Sequence, residues 1–305
     1  MISQLESLTL TKGHGAGNDF VLVPDPDGAL KISPEDVARI CDRHVGIGGD
    51  GLIRVIRTRS LLREDPSLSD VLGHEPTAPE LLPEWFMDYR NADGSIAEMC
   101  GNGVRVFVHY LRCQRLIDLE LGGSVAVATR GGTKNVTFDA PDYTVDMGEY
   151  QLPFGPGGAD TRVSIPGVGE RSALSVAMPN PHTVVLLSDD DELAAADFHA
   201  TPVYDPVPEF GTNLELAVDH PGAGSVGGLK TTERVEMRVL ERGVGETLAC
   251  GTGTCAVALA VLFAREENEG IVPIHSPGGN LSVRIEAGRA YLTGPAELVA
   301  DLTLR

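Results

Sequence analysis

The sequence is short of cationic side chains, of cysteine and lysine, and of long apolar runs, and each shortage closes off a class of protein. Lys and Arg together number 24 against 44 Asp and Glu, a formal net charge of −20. A nucleic-acid surface neutralises phosphates with clustered Lys and Arg, and no such cluster occurs, so no nucleic-acid partner is expected and the acidity reads as a solvated surface. No apolar stretch approaches the ~20 residues that span a bilayer, and the opening MISQLESLTLTKGHG has neither the basic nor the apolar region of a signal peptide. A cytoplasmic protein with no membrane partner is expected. Five cysteines (Cys41, Cys100, Cys113, Cys250, Cys255) form no dense framework and no CxxC pair, which predicts reduced thiols rather than disulfides or a zinc ribbon. Lysine is confined to Lys12, Lys31, Lys134 and Lys230, none in a phosphate-binding context, so no Schiff-base lysine for pyridoxal phosphate is evident and no cofactor is expected. The eight histidines are scattered without HExxH or Cys/His ligand spacing, so no metal site is expected either.

What is there begins with size. A chain of 305 residues has room for two domains, and 42% hydrophobic with 22% charged residues is the balance of a globular protein. The strongest feature is a phrase that occurs twice: Met99-Cys100-Gly101-Asn102-Gly103-Val104-Arg105 and Ala249-Cys250-Gly251-Thr252-Gly253-Thr254-Cys255. Each sets a cysteine before a glycine-flanked turn that runs into an apolar helical pattern. A helix N-terminus offers unpaired N–H groups and a partial positive charge that stabilise a thiolate, and the glycines let those groups converge on an anion. Two thiols so placed suggest a paired acid and base, each acidic enough to act near neutral pH. Cys41, Cys113 and Cys255 lie in or beside apolar helical patterns and read as small buried hydrophobes.

Asn91 and Glu241 stand at the same offset, nine residues before their cysteines, each after a strand. An asparagine-bearing turn lies further upstream in both halves, Gly17-Asn18-Asp19 and Pro179-Asn180-Pro181-His182. The halves therefore read as a duplicated unit whose copies would flank one ligand. His182 and the neighbours Glu241 and Arg242 also have plain readings, a structural histidine and a surface ion pair. Their place beside the cysteines favours function.

Along the chain, residues 9–23 read as a hairpin around a turn at 13–19, and Ser33-Pro34-Glu35-Asp36 as a helix start running to Arg43-His44. Gly46-Ile47-Gly48-Gly49-Asp50-Gly51 spells GxGxxG, but the dinucleotide fingerprint needs a strand before it and a helix after it. Here the helix precedes and a strand at 52–56 follows, so a Rossmann site is rejected. Residues 57–84 mix charge and proline without a period and read as an exposed, mobile insertion. Strands are expected at 85–89, 124–129, 136–138 and 144–147, with a helix over 104–111. Residues 148–170 read as loop, followed by strands at 175–178, 183–187, 213–218 and 235–240 and a helix over 254–265.

Together these residues resemble the diaminopimelate epimerases. The resemblance runs through Gly15-Ala16-Gly17-Asn18-Asp19-Phe20, Asn91-Ala92-Asp93-Gly94-Ser95, Cys100-Gly101-Asn102-Gly103, Asn180-Pro181-His182, Glu241-Arg242-Gly243-Val244-Gly245-Glu246-Thr247 and Ala249-Cys250-Gly251-Thr252-Gly253, in the family's order. It implies a mixed α/β fold of two pseudo-symmetric lobes, each a curled sheet around a central helix, with the active site in the cleft between them. The lobes would be residues 1–147 and 148–295, with 57–84 inserted in the first and 296–305 returning to it. It also implies cofactor-independent interconversion of LL- and meso-2,6-diaminopimelate, on the route to lysine and peptidoglycan, by a protein that is commonly a homodimer.

By the same resemblance Cys100 and Cys250 are the acid/base pair. One, as thiolate, takes the α-proton from one face while the other, as thiol, delivers a proton to the opposite face; His182 and Glu241 support their protonation. Substrate binding falls to Asn18, Asn91, Asn180, Asn213, Glu241 and Arg242, and to backbone N–H groups at Gly101, Asn102, Gly251 and Thr252. Asparagine offers donor and acceptor to a zwitterion, Arg242 can grip a carboxylate bidentately, and the helix starts suit the carboxylate at the reacting centre. One position departs from the pattern: many members carry glutamine after the aspartate of the first glycine turn, whereas Asp50 is followed by Gly51. That contact is absent or supplied elsewhere. Two other readings stand beside this one, a two-thiol racemase of the same fold acting on proline or hydroxyproline, and a non-catalytic thiol module, which leaves the asparagine set unexplained.

Overall fold

The computed structural model describes residues 5–72, 82–155, 158–178, 180–222 and 224–304. The chain divides into two compact units, Met1–Val145 with Pro295–Arg305, and Asp146–Gly294. No helix among the described residues is long and apolar enough to cross a membrane.

The first unit runs β1 (Leu10–Gly15), β2 (Asn18–Pro24), α1 (Pro34–Cys41), β3 (Gly51–Arg57), α2 (Thr58–Glu64), α3 (Leu68–Val71), β4 (Trp85–Asn91), α4 (Gly101–Cys113), β5 (Ser124–Thr129), β6 (Gly132–Asp139) and β7 (Asp142–Glu149), along which the chain leaves it. The hairpin between β1 and β2 is tighter than the sequence suggests. Only Ala16 and Gly17 turn, with φ 52° and 75°, the left-handed pair of a type I′ turn. Gly13 and Gly15 serve close approach instead: a Cβ would meet the Glu297 carbonyl at 2.8 Å and the Asn102 carbonyl at 3.1 Å. The start of α1 is as expected, with Ser33 and Asp36 in a reciprocal capping box and Pro34 in the first turn. It stops at Cys41 because Asp42 turns extended and its carboxylate takes the N–H groups of His44 and Val45 at 2.7 and 2.9 Å.

The second unit runs β8 (Thr161–Ile165), β9 (Gly169–Ala177), β10 (Pro181–Leu187), α5 (Asp190–Ala195), β11 (Val203–Asp205), β12 (Asn213–His220), β13 (Gly224–Val226), β14 (Leu229–Thr231), β15 (Arg234–Glu241), β16 (Gly245–Thr247), α6 (Gly251–Ala264), β17 (Gly270–Ser276), β18 (Gly279–Glu286) and β19 (Arg289–Gly294). The last strand, β20 (Glu297–Leu302), pairs antiparallel with β1 of the first unit.

Each unit has the same strand order. In the first, β1 to β7 pair in sequence as antiparallel, parallel, antiparallel, parallel, antiparallel, antiparallel. In the second, β9, β10, β12, β15, β17, β18 and β19 pair in that same succession. One helix fills each sheet. α6 is buried from Gly253 to Leu262, apolar on every face, and such a helix must be enclosed. It packs on β9, β10, β12, β17, β18 and β19; α4, also buried nearly throughout, packs on β1, β2, β3, β4, β6 and β20.

Two expectations are corrected. Residues 58–72 are not an exposed insertion: α2 and α3 bury Leu61, Leu68 and Leu72 in a cluster with Ile56, Phe86 and Ala128. Glu64 of α2 also bonds the buried Arg54 guanidinium at 2.9 Å through each oxygen. Helices of seven and four residues are too short to display a period. Residues 73–81 of the same stretch lie outside the described residues. Likewise 148–170 is not all loop, since β8 alternates buried Thr161, Val163 and Ile165 with exposed neighbours.

Candidate active site

Cys100 is the N-cap of α4, and its sulfur accepts the Gly103 N–H at 3.4 Å. Its thiol lies 3.4 Å from Asn18 Oδ1, the oxygen that also accepts from Asn102 Nδ2 at 3.4 Å. What orients Asn18 is its other end, where Nδ2 donates to Asp50 Oδ2 at 2.8 Å. An ionised carboxylate only accepts, so it fixes which way the amide faces. Asp50 is pinned in turn: its N–H donates to the Asp19 carbonyl at 2.8 Å, and Arg43 bridges the Asp19 and Asp50 carboxylates at 2.7 and 2.8 Å. Burial would raise the Asp19 carboxyl, but Arg43 and Lys12 outweigh it and hold it well below the usual carboxylate range.

Asn102 is fully buried and its amide is committed at both ends, since Oδ1 accepts Arg105 Nη2 at 2.9 Å. The buried Arg105 also reaches the Gly101 and Pro295 carbonyls at 3.3 Å each. Asn91 ends β4 opposite Gly51, its Nδ2 donating to Ser95 Oγ at 3.0 Å. The glycine at 51 has a steric cause: a Cβ there would lie 2.5 Å from both the Arg90 carbonyl and Tyr89 Cε2, and 3.1 Å from the Tyr89 hydroxyl. The Tyr89 ring occupies the room a side chain would need.

In the second unit Cys250 is the N-cap of α6, buried, with the Thr252 hydroxyl 3.5 Å from its sulfur. The expectation that both helix starts yield acidic thiols fails here. Burial first, then the Glu241 and Glu215 carboxylates, push the Cys250 thiol well above the ordinary thiol value, against the Thr252 hydroxyl and the Gly253 N–H. His182 on β10 is buried, its Nδ1 2.7 Å from Glu215 Oε1 and its Nε2 3.1 Å from Asn180 Oδ1. Asn213, at the start of β12, accepts the Arg242 backbone N–H at 2.9 Å. Glu241 ends β15 and accepts the Thr247 hydroxyl at 2.5 Å, while the exposed Arg242 donates one Nη to the Phe210 carbonyl.

Strand registers align the two sets. Phe20 pairs with Gly51 and Gly51 with Asn91; His182 pairs with Asn213, and continuing Leu214 opposite Leu240 by one residue sets Asn213 opposite Glu241. So Asn18, Phe20, Gly51, Asn91 and Cys100 hold the positions of Asn180, His182, Asn213, Glu241 and Cys250. Sequence reasoning missed Asp19, Arg43 and Asp50, which orient Asn18, and Glu215, which bonds His182. The last had a signal, one carboxylate in the apolar run Leu214-Glu215-Leu216-Ala217-Val218. Among the other cysteines, Cys41 is buried, which pushes its thiol up to about 11, and Cys255 is buried. Cys113 is not: it lies exposed at the end of α4, 3.6 Å from His109 Nε2.

The family model described as diaminopimelate epimerase matches residues 10–153 and 174–299. The chain is 41% identical to the diaminopimelate epimerase of Streptomyces coelicolor over 96% of this chain and 94% of that one. It is 40% identical to that of Thermobifida fusca over 98% of each. Among solved structures, a phenazine biosynthesis protein of the PhzF family from Bacillus anthracis superposes with a TM-score of 0.65 at 13% identity, covering 98% of this chain and 99% of that one. A hydroxyproline epimerase from Agrobacterium vitis superposes at 0.61 with 14% identity, covering 96% and 91%. These structural likenesses establish the fold. A family match through both cysteine-bearing units and about 40% identity over nearly the whole length place the chain in the diaminopimelate epimerase family.

Proposed function

We propose that the protein interconverts LL- and meso-2,6-diaminopimelate by a two-base mechanism in which Cys100 and Cys250 are the catalytic residues, with no cofactor. The observation that carries this reading is the repeat of one device: a cysteine as N-cap of the buried helix in each unit, nine residues after the end of a strand whose register matches between the units. One thiolate takes the α-hydrogen as a proton, and the bonding pair stays on the α-carbon and spreads into the α-carboxylate. The other thiol gives its proton to the opposite face, so configuration inverts and the two sulfurs exchange protonation states. The first-turn N–H groups at Gly101, Asn102, Gly251 and Thr252 supply donors for the carboxylate as charge builds on it.

Asn18, Asn91, Asn180, Asn213, Glu241 and Arg242 are the side chains we assign to the substrate's polar ends. Arg242 stays exposed with one Nη on Phe210, so its guanidinium keeps N–H donors for a carboxylate. His182 and Glu241 are assigned to the protonation of the thiols. We infer a cytoplasmic protein and, as the family resemblance implies, a homodimer; sedimentation of the purified chain tests the dimer.

The function is tested by proton NMR of LL-diaminopimelate with the reduced protein in D₂O. Loss of the α-hydrogen signal together with appearance of the meso form is the expected result. Cys100→Ser and Cys250→Ser should each keep the fold and lose about 10²-fold or more in kcat, since a hydroxyl is a far weaker acid. Exchange of proline but not diaminopimelate would replace the substrate, and unchanged kcat in either variant would remove that cysteine from the mechanism.

A further inference from the structure

The two units differ most where their registers agree. Under the first turn of α4 the strands present Phe20 and Ile53; at the same positions under α6 they present His182 and Glu215. Phe20 and Ile53 each come within 3.5 Å of the Cβ position of Gly103, whereas at Gly253 the nearest atom is Glu215 Oε1, at 2.5 Å. Gly253 is therefore glycine because the carboxylate occupies the place of its side chain. The side chains of His182 and Glu215 are both fully buried. Glu215 Oε1 takes His182, but Oε2 has no hydrogen-bond partner among the described residues. A buried carboxylate oxygen without a partner costs on the order of 1–3 kcal/mol, and an apolar pair like Phe20 and Ile53 would avoid that cost. On the helices the contrast continues, since buried Arg105 lies one turn past Cys100 and Cys255 holds that place after Cys250.

We propose that Glu215 is a positioning residue for the reaction, fixing the His182 ring and setting its own charge against the first turn of α6, so that the two thiols are unequal at rest and Cys250 is the one that holds the proton. The direction of the Cys250 shift agrees, with burial leading and Glu241 and Glu215 adding to it. The other titratable groups around the pair are His182 on β10, Glu241 on β15 and Tyr204 on β11, whose hydroxyl is pushed up to about 12 by burial and then by Glu215. His182 carries the connection outward, because its far nitrogen meets Asn180, a residue assigned to substrate. This inference rests on the two-thiol epimerase reading.

The test is alkylation of the reduced, full-length protein by iodoacetamide from neutral to alkaline pH, with peptide mass mapping to follow each cysteine, beside kcat and KM for diaminopimelate. In the wild type the Cys250 midpoint should lie above that of Cys100. Glu215→Gln should lower the Cys250 midpoint by about one pH unit or more and leave Cys100 where it is, because only the nearby negative charge is removed. Its kcat should fall ~10-fold or more with KM within ~3-fold, and Glu215→Asp, which keeps the charge, should hold the Cys250 midpoint and regain part of kcat. Midpoints that move together, or a Cys250 midpoint that does not move, would overturn the proposal. If Glu215→Gln does not fold, a wild-type Cys250 midpoint below that of Cys100 overturns it without a variant. A wild type that racemises no diaminopimelate yet shows the Cys250 shift would sink the function and leave the thiol asymmetry standing.

Discussion

Gly51 and Asn213 hold one register position in two copies of the same sheet, yet one cannot bear a side chain and the other uses its amide to hold the turn after β15. The difference lies in the neighbour two residues before the strand end, where Tyr89 sends its ring across Gly51 and packs edge-on to Phe20 at 5.7 Å. Gly51→Ala should therefore cost about 2 kcal/mol in urea unfolding, the usual scale for overpacking. Trimming the ring should return only part of it, because a second colliding atom, the Arg90 carbonyl at 2.5 Å, is backbone and cannot move aside. A double-mutant cycle of Gly51→Ala with Tyr89→Ala checks this; full recovery in the double variant would show that the ring alone excludes a side chain. At this scale the sequence disclosed residues with a motif around them, the cysteines and the asparagine turns. It concealed those whose meaning is a partner far along the chain: Asp50, which matters through Asn18 at 2.8 Å, and Glu215 through His182 at 2.7 Å.

Elements show why some segments were legible and others not. α1 announced itself by Ser33, Pro34 and Asp36, local signals that need no tertiary context. α2 and α3 are held by contacts instead, Leu61 and Leu68 in their cluster and Glu64 on Arg54, so local sequence could not display them. The crossover from β2 through α1 to β3 is closed by a similar long-range device, with Lys12 2.6 Å and Arg43 2.7 Å from Asp19. The Asp19 carboxyl is held below its unfolded value, so its contribution to stability is complete above that value, near pH 4, and is lost as pH falls toward its folded value. Asp19→Asn should accordingly cost about 2 kcal/mol at neutral pH, and the gap from wild type should close as acid is added. Thermal melts of both proteins from neutral to strongly acidic pH measure it, and a gap that stays constant would assign the loss to packing rather than charge.

For the molecule as a whole, the duplication was legible from the offset of nine residues before each cysteine, because a repeat of chemistry needs no knowledge of the sheet. The identical pairing order was not, since parallel neighbours such as β4 with β5 and β15 with β17 meet only after a helix intervenes. The return of residues 296–305 to the first lobe was expected from the family resemblance alone, since nothing local in those residues names their partner strand. β20 lines the β1 edge, pairing Leu10 with Leu302 and Thr11 with Asp301, and the Thr11 hydroxyl donates to the Asp301 carboxylate at 2.7 Å. It also packs on α4, whose first turn carries Cys100, and its neighbour Pro295 accepts from Arg105. Removing residues 296–304 would leave β1 an unpaired edge and take one wall from α4. The melting temperature should fall by about 5 °C or more. Hydrogen exchange should show protection lost in β1 and α4 and retained in β12 and α6, which have no pairing with β20. Equal loss in both units would mean that they unfold as one cooperative body, and that β20 supports the second unit as much as the first.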